Sequence, residues 1–126
     1  MKVLLVDDEE ALLSFLVKEL EQRGFGTRQS LNGDEGFLLW QQEGPFEFVL
    51  TDFRFVQGRK IKDGVQLVTA IHKINPLQRM AIMTAAPHQA REMLPDTLRR
   101  LPVLRKPFRL EEVLRLLREP IRPVDS

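Results

Sequence analysis

The sequence predicts a doubly wound α/β fold, a parallel sheet with helices on both faces. Three observations point there. Short apolar runs and segments of helical period alternate five times along the chain, the arrangement that builds β-α-β units. The two strongest runs, residues 2–6 and 46–51, are largely apolar throughout and do not alternate, as expected of strands covered on both sides. The chain has 126 residues, the usual size of one core and enough to bury roughly two-thirds of the unfolded surface.

Each element has its own signal. Residues 2–6 are too few for a helix and run into Asp7 and Asp8, which marks a buried strand. A helix follows from about residue 10 to 23, because Leu13, Leu16, Val17 and Leu20 fall on one face of a 3.6-residue period. Gly24 stands where a C-cap is expected. Residues 26–31 are a weaker strand candidate. Asn32-Gly33-Asp34 supplies a turn and cap, and Phe37 with Trp40 marks a short amphipathic helix that Gly44-Pro45 stops. Residues 46–51 form the next strand and end in Asp52. Residues 54–63 are polar and basic, with Gly58, Arg59, Lys60 and Lys62, and read as a loop. Residues 64–74 are helical, with Leu67, Val68, Ile71 and Ile74 on one face, and Asn75-Pro76 ends them. Residues 77–84 are a strand. Residues 87–101 make a poor helix interrupted at Pro95. Residues 102–105 are a short strand. Residues 110–118 are a strong helix, with Leu110, Val113, Leu114 and Leu117 on one face. Trp40 and the phenylalanines are expected in the core. The last residues, 120–126, contain two prolines and read as a tail or the start of a linker. One domain over residues 1–119 is therefore expected.

Composition narrows the chemistry. There is no cysteine, so disulfides, thiol nucleophiles and cysteine-ligated metals are excluded. Lys and Arg number 19 against 18 Asp and Glu, a net charge of +1, which gives no support to direct nucleic-acid binding by bulk electrostatics. His72 and His88 lie in no metal-spaced cluster. No apolar run approaches ~18 residues, and the start lacks the pattern of a signal peptide. A soluble, cytoplasmic protein with no membrane role is expected. The balanced charge conceals a division. Residues 1–86 carry 10 basic and 12 acidic side chains, whereas residues 87–126 carry 9 and 6. The basic excess in the last third is a solvated face or a partner surface.

In doubly wound folds, function lies beyond the carboxyl ends of the strands. The first strand delivers Asp7 and Asp8, the third Asp52, the fourth Thr84, and the fifth Lys106 followed by Pro107. Three carboxylates in one cleft repel one another, and either raise each other's pKa values or recruit a cation. A hard divalent cation such as Mg²⁺, with oxygen ligands and retained waters, suits them. A carboxylate beside such an ion can attack phosphorus to give an aspartyl phosphate. An ammonium and a hydroxyl can then neutralise and hold the phosphoryl oxygens.

These residues sit in five motifs, in order: Val3-Leu4-Leu5-Val6-Asp7-Asp8-Glu9, Val49-Leu50-Thr51-Asp52, Asp63-Gly64, Ile82-Met83-Thr84-Ala85 and Leu104-Arg105-Lys106-Pro107-Phe108. Together they resemble the receiver domain of two-component response regulators, from Val3 to about Arg118. The resemblance implies a flavodoxin-like five-stranded sheet of order 2-1-3-4-5. It implies Asp52 as phosphoacceptor, and Mg²⁺ (or Mn²⁺) held by Asp7, Asp8, Asp52 and the backbone carbonyl of Phe53. It implies Thr84 as switch hydroxyl, Lys106 as the phosphoryl-binding cation, and a cis Lys106–Pro107 peptide. The partners implied are a sensor histidine kinase or phosphotransfer protein, and a downstream protein or output domain on the face of the fourth helix, fifth strand and fifth helix. A phosphorylation-dependent homodimer is a further implication. The resemblance also implies a domain that accepts a phosphoryl group and assists its own transfer and loss, and that is not otherwise an enzyme.

The sequence departs from the family in three places. Asp52 and Gly64 are 12 positions apart, about four more than usual, which implies a basic insertion within residues 56–62 that overlooks the pocket; such insertions cost little. The position three before the lysine, often aromatic, is Val103, a residue of small rotamer amplitude. Arg54 and Ala86 occupy positions where the family tunes access to, and lifetime of, the acyl phosphate. Val103 and the altered loop leave open a pseudo-receiver that acts as a constitutive interaction module. A hydrolase that works through an aspartyl phosphate is disfavoured, since such enzymes place an acid where Arg54 stands.

Overall fold

The computed structural model describes residues 1–55 and 60–119. The elements, in chain order, are β1 (Lys2–Val6), α1 (Glu10–Gln22), β2 (Gly26–Ser30), α2 (Gly33–Glu43), β3 (Phe48–Asp52), α3 (Gly64–Ile74), β4 (Met80–Thr84), α4 (Pro87–Met93), β5 (Val103–Arg105) and α5 (Leu110–Arg118). The strands form one parallel sheet of order β2-β1-β3-β4-β5. This is the expected flavodoxin-like arrangement. The order reverses at β1, so the ends of β1 and β3 lie side by side, with Val6 opposite Thr51.

The sheet has a core layer on each face, which explains the unbroken apolar strands. Successive residues alternate between them. Leu4, Val6, Val49, Met80 and Ile82 share one layer with Leu67, Val68 and Ile71 of α3 and Ala90 of α4. Val3, Leu5, Leu50, Ala81 and Met83 share the other with Leu13, Leu16 and Leu20 of α1 and Val113, Leu114 and Leu117 of α5. Edge strand β2 is polar, yet Thr27 and Ser30 are buried. The Thr27 hydroxyl donates to Glu21 at 2.7 Å and the Ser30 hydroxyl to the Asn32 carbonyl at 2.7 Å.

Several expectations are corrected. Ile74 is 57% exposed: it is the last residue of α3, and only the preceding turns reach the core. Phe15 is 47% exposed because it stands about 200° around α1 from Leu13. Trp40 is half-buried, and its indole N–H donates to Gln78 Oε1 at 2.8 Å. The fourth strand starts at Met80, not at residue 77. The Asn75 side chain accepts the Leu77 N–H at 3.0 Å, and this Asx turn takes up the first residues. The fourth helix ends at Met93, ahead of Pro95, and does not run on to 101. It spans seven residues, has no side-chain cap and buries only Ala90. A single 3₁₀ turn, Asp96–Leu98, follows Pro95. The tail at 120–126 and the first half of the insertion, 56–59, lie outside the described residues.

Two glycines have specific work. Gly24 ends α1 with φ +90°, a conformation that costs other residues about 1–2 kcal/mol. Gly64 opens α3 against the end of β3, where a Cβ would stand 2.2 Å from the Asp52 carbonyl oxygen. Gly64→Ala should therefore cost about 2–4 kcal/mol in urea unfolding. Gly26→Ala is the control, since its Cβ would meet nothing closer than 3.9 Å, and it should stay within ~0.5 kcal/mol.

Candidate functional site

Beyond the carboxyl ends of β1, β3 and β5 the side chains converge. Asp7 follows β1 and is fully buried, with Asp8 half-buried beside it. Asp52 is the last residue of β3. One carboxylate oxygen from each of the three lies within 4.8 Å of the others. Lys106 reaches them from beyond β5. Its backbone N–H donates to the Thr84 carbonyl at 2.8 Å, which extends the ladder by one residue. The following peptide bond to Pro107 is cis, as is Gly44–Pro45. The Lys106 ammonium donates to Asp7 Oδ2 at 2.7 Å and lies 3.3 Å from Asp52 Oδ1 and 3.8 Å from Glu9 Oε2.

Backbone donors hold Asp7 and the half-buried Asp52. The Glu9 N–H donates to Asp7 Oδ1 at 2.9 Å, and the Phe53 N–H to Asp52 Oδ1 at 2.9 Å. Burial is the main cause that pushes the Asp52 carboxyl up to about 6, and the neighbouring Asp7 charge adds to it. The charge and hydrogen bond of Lys106, with the Phe53 N–H, pull the other way. For Lys106, burial is the largest single influence and lowers its pKa. The Asp7 hydrogen bond and the Asp52 and Asp7 charges together outweigh it, so the ammonium is held above the ordinary lysine range. One ammonium thus faces several carboxylates. The remaining negative charge and the oxygen-only donor set fit a hard divalent cation such as Mg²⁺.

Thr84 ends β4, the strand beside β3, and is buried. Its hydroxyl oxygen accepts the Ala86 N–H at 2.9 Å, which leaves the hydroxyl proton to donate. Ala86 itself is the N-cap of α4. Val103 lies half-buried in β5 opposite Ile82, against the core layer that contains Ala90 and Leu94. The Phe53 carbonyl accepts the Gly64 N–H at 2.7 Å. One of its two lone pairs therefore closes the β3–α3 connection. Arg54 stays outside the carboxylate cluster. Its guanidinium donates to the Gln89 side chain of α4 and lies 5.4 Å from the Phe53 ring centroid.

The family model of the response regulator receiver domain matches residues 3–118. This chain belongs to that family. The receiver is 30% identical over 113 residues to the response regulator receiver protein CpdR of Brucella abortus, covering 90% of each chain. It is also 30% identical over 125 residues to the transcriptional regulatory protein YkoG of Bacillus subtilis, but spans only 50% of that protein. Its fold matches the non-phosphorylated receiver domain of HemR from Leptospira biflexa with a TM-score of 0.77, at 26% identity over 97% of each chain. A response regulator from Burkholderia pseudomallei, solved with a phosphorylated aspartic acid and a calcium ion, matches with a TM-score of 0.73. The two are 26% identical over 92% of this chain and 65% of that one.

The receiver's geometry also holds features that sequence reading missed. Glu9 joins the lysine's ring of acids; its place in the Asp7-Asp8-Glu9 run was the available signal. Asp34 anchors the second half of the insertion by accepting the Lys60 N–H at 3.3 Å and the Ile61 N–H at 3.0 Å. Ile61 is buried against Gly33, whose added Cβ would stand 2.4 Å from it. An Arg54–Asp63 bridge closes the loop's base. The described half of the insertion thus rests on the start of α2. No sequence pattern announced the Asp34 contact.

The raised Asp52 pKa fixes a sign. Between about pH 4 and pH 6 the folded state keeps a proton that the unfolded chain has lost, so this carboxyl lowers stability as pH rises through that window. In metal-free protein, Asp52→Asn should gain about 1–3 kcal/mol over wild type at pH 7 and little at pH 4. Urea unfolding at the two pH values measures this; an equal difference at both contradicts it.

Proposed function

We propose that this receiver is a Mg²⁺-dependent phosphoacceptor with Asp52 as the modified residue. One observation carries the reading: the Asp52 carboxylate is held 3.3 Å from the Lys106 ammonium, with Asp7 and Asp8 oxygens grouped around it. The similarity to a regulator solved with a phosphorylated aspartic acid supports it.

Asp7, Asp8 and Asp52 would hold Mg²⁺ through carboxylate oxygens, with the second lone pair of the Phe53 carbonyl as a further donor. When bound, the ion supplies positive charge that offsets the repulsion among the acids and the charge on phosphorus. An Asp52 carboxylate oxygen attacks phosphorus in line. The bond from phosphorus to a phosphohistidine nitrogen breaks, and the freed imidazole takes its proton from solvent. Lys106 can follow the developing phosphoryl charge, because it already spans Asp7 and Asp52. The Thr84 hydroxyl donates to a phosphoryl oxygen. Arg54 and Ala86 set how water reaches the acyl phosphate.

The donor is a histidine kinase or phosphotransfer protein. The output is a change of partner on the α4-β5-α5 face, and a phosphorylated dimer on that face belongs to the same reading. The receiver domain spans residues 1–119, with 120–126 as tail or linker. The site of action is the cytoplasm; no described helix is long and apolar enough to cross a membrane.

Intact mass after treatment with acetyl phosphate and Mg²⁺ tests this. One phosphoryl group should add to wild type, and none to Asp52→Asn or after chelation with EDTA. Label that persists on Asp52→Asn overturns the assignment. Lys106→Met should slow labelling by about a hundredfold, the size of one lost transition-state donor. A wild-type rate in that variant removes Lys106 from the transfer.

A further inference from the structure

One contact joins the segment after Asp52 to the shortest α-helix among the described residues. Arg54 stands two residues past Asp52, after a bend at Phe53, and is bridged to Asp63. The Arg54 guanidinium turns to α4, where it donates to Gln89 and covers the Phe53 ring. Helix α4 has seven residues, no side-chain N-cap and one buried residue, Ala90. Its other described side-chain ties are the His88–Glu92 pair within it and an Arg91 bond to the Arg99 carbonyl at 3.0 Å. An exposed tie such as Arg54–Gln89 therefore carries weight there.

Arg54 has a better acceptor in prospect. Gln89 offers a neutral amide oxygen. A phosphoryl group on Asp52 would bring roughly two negative charges and three oxygens. A guanidinium fork matches such oxygens in pairs, and charge-assisted bonds are about twice as strong as neutral ones. Lys106 is already shared between Asp7 and Asp52, which leaves room for a second cation. Val103, a β-branched residue in a strand, has little rotamer motion with which to move α4.

We propose that Arg54 is a phosphoryl-responsive tether. It holds α4 through Gln89 while Asp52 is unmodified, and leaves Gln89 for the phosphoryl oxygens once Asp52 carries the group. This rests on the reading of Asp52 as phosphoacceptor. Freed of Arg54, α4 loosens, and the signal reaches the partner face without an aromatic at position 103.

Amide deuterium exchange across residues 88–93 tests the tether in the full chain, before and after addition of Mg²⁺ and beryllofluoride. In wild type, exchange should speed up roughly fivefold to tenfold on loading, the size expected for one exposed hydrogen bond to a charged group. In Gln89→Ala and Arg54→Ala, the segment should exchange at the fast rate beforehand, and loading should change it little. Wild-type slow exchange with wild-type acceleration in either variant overturns the tether. Intact mass with acetyl phosphate runs in parallel, and Gln89→Ala should label as wild type does. If wild type takes no phosphoryl group, the phosphoacceptor reading falls and the tether with it. If wild type labels but the helix exchange is unmoved, the tether alone falls.

Discussion

A single ammonium set among several carboxylates is the interaction on which the rest depends. Lys106 is 2.7 Å from Asp7 and 3.3 Å from Asp52, and both acids are largely withdrawn from water. Burial and mutual repulsion raise the Asp52 carboxyl, and the ammonium only partly relieves it. The site is therefore charge-frustrated in the form described. A divalent cation would relieve the frustration by adding positive charge to an oxygen-lined cleft. Frustration of this kind is a common mark of functional sites, where ion binding and chemistry draw on it.

The sheet exists in this form to bring those groups together. Because β1 lies between β2 and β3, Asp7 and Asp52 end neighbouring strands. The ladder from β4 to β5 then carries Lys106 alongside Thr84. The close approach of Gly64 to the Asp52 carbonyl and the Gly64–Phe53 hydrogen bond fix the turn on which the Asp52 side chain stands. The two core layers hold the strands rigid, while α4, with one buried residue, is the element that can respond.

Much of this was legible in the chain itself. Asp7, Asp8 and Asp52 each follow an apolar run, and a strand that ends in a carboxylate places that carboxylate at the sheet edge whatever the register. Helices α3 and α5 were legible because their apolar period is strong. What escaped was set by tertiary contact. Strand β2 was only a weak candidate, because Thr27, Arg28 and Gln29 carry no apolar signature; it holds its place through pairing with β1. Phe15 looked like core and faces solvent, because composition carries no angle around a helix. The Asp34 anchor under the insertion and the Arg54–Gln89 contact join residues 26 to 35 positions apart. No local pattern encodes such pairs.

The most direct test of the frustrated cluster is the titration of the Asp52 carboxyl itself, followed by its carbon chemical shift in the 126-residue chain with and without Mg²⁺. The midpoint should lie near 6 without the ion and fall well below that value when Mg²⁺ saturates the site. A midpoint near the ordinary 3.8 that Mg²⁺ leaves unmoved would contradict the account.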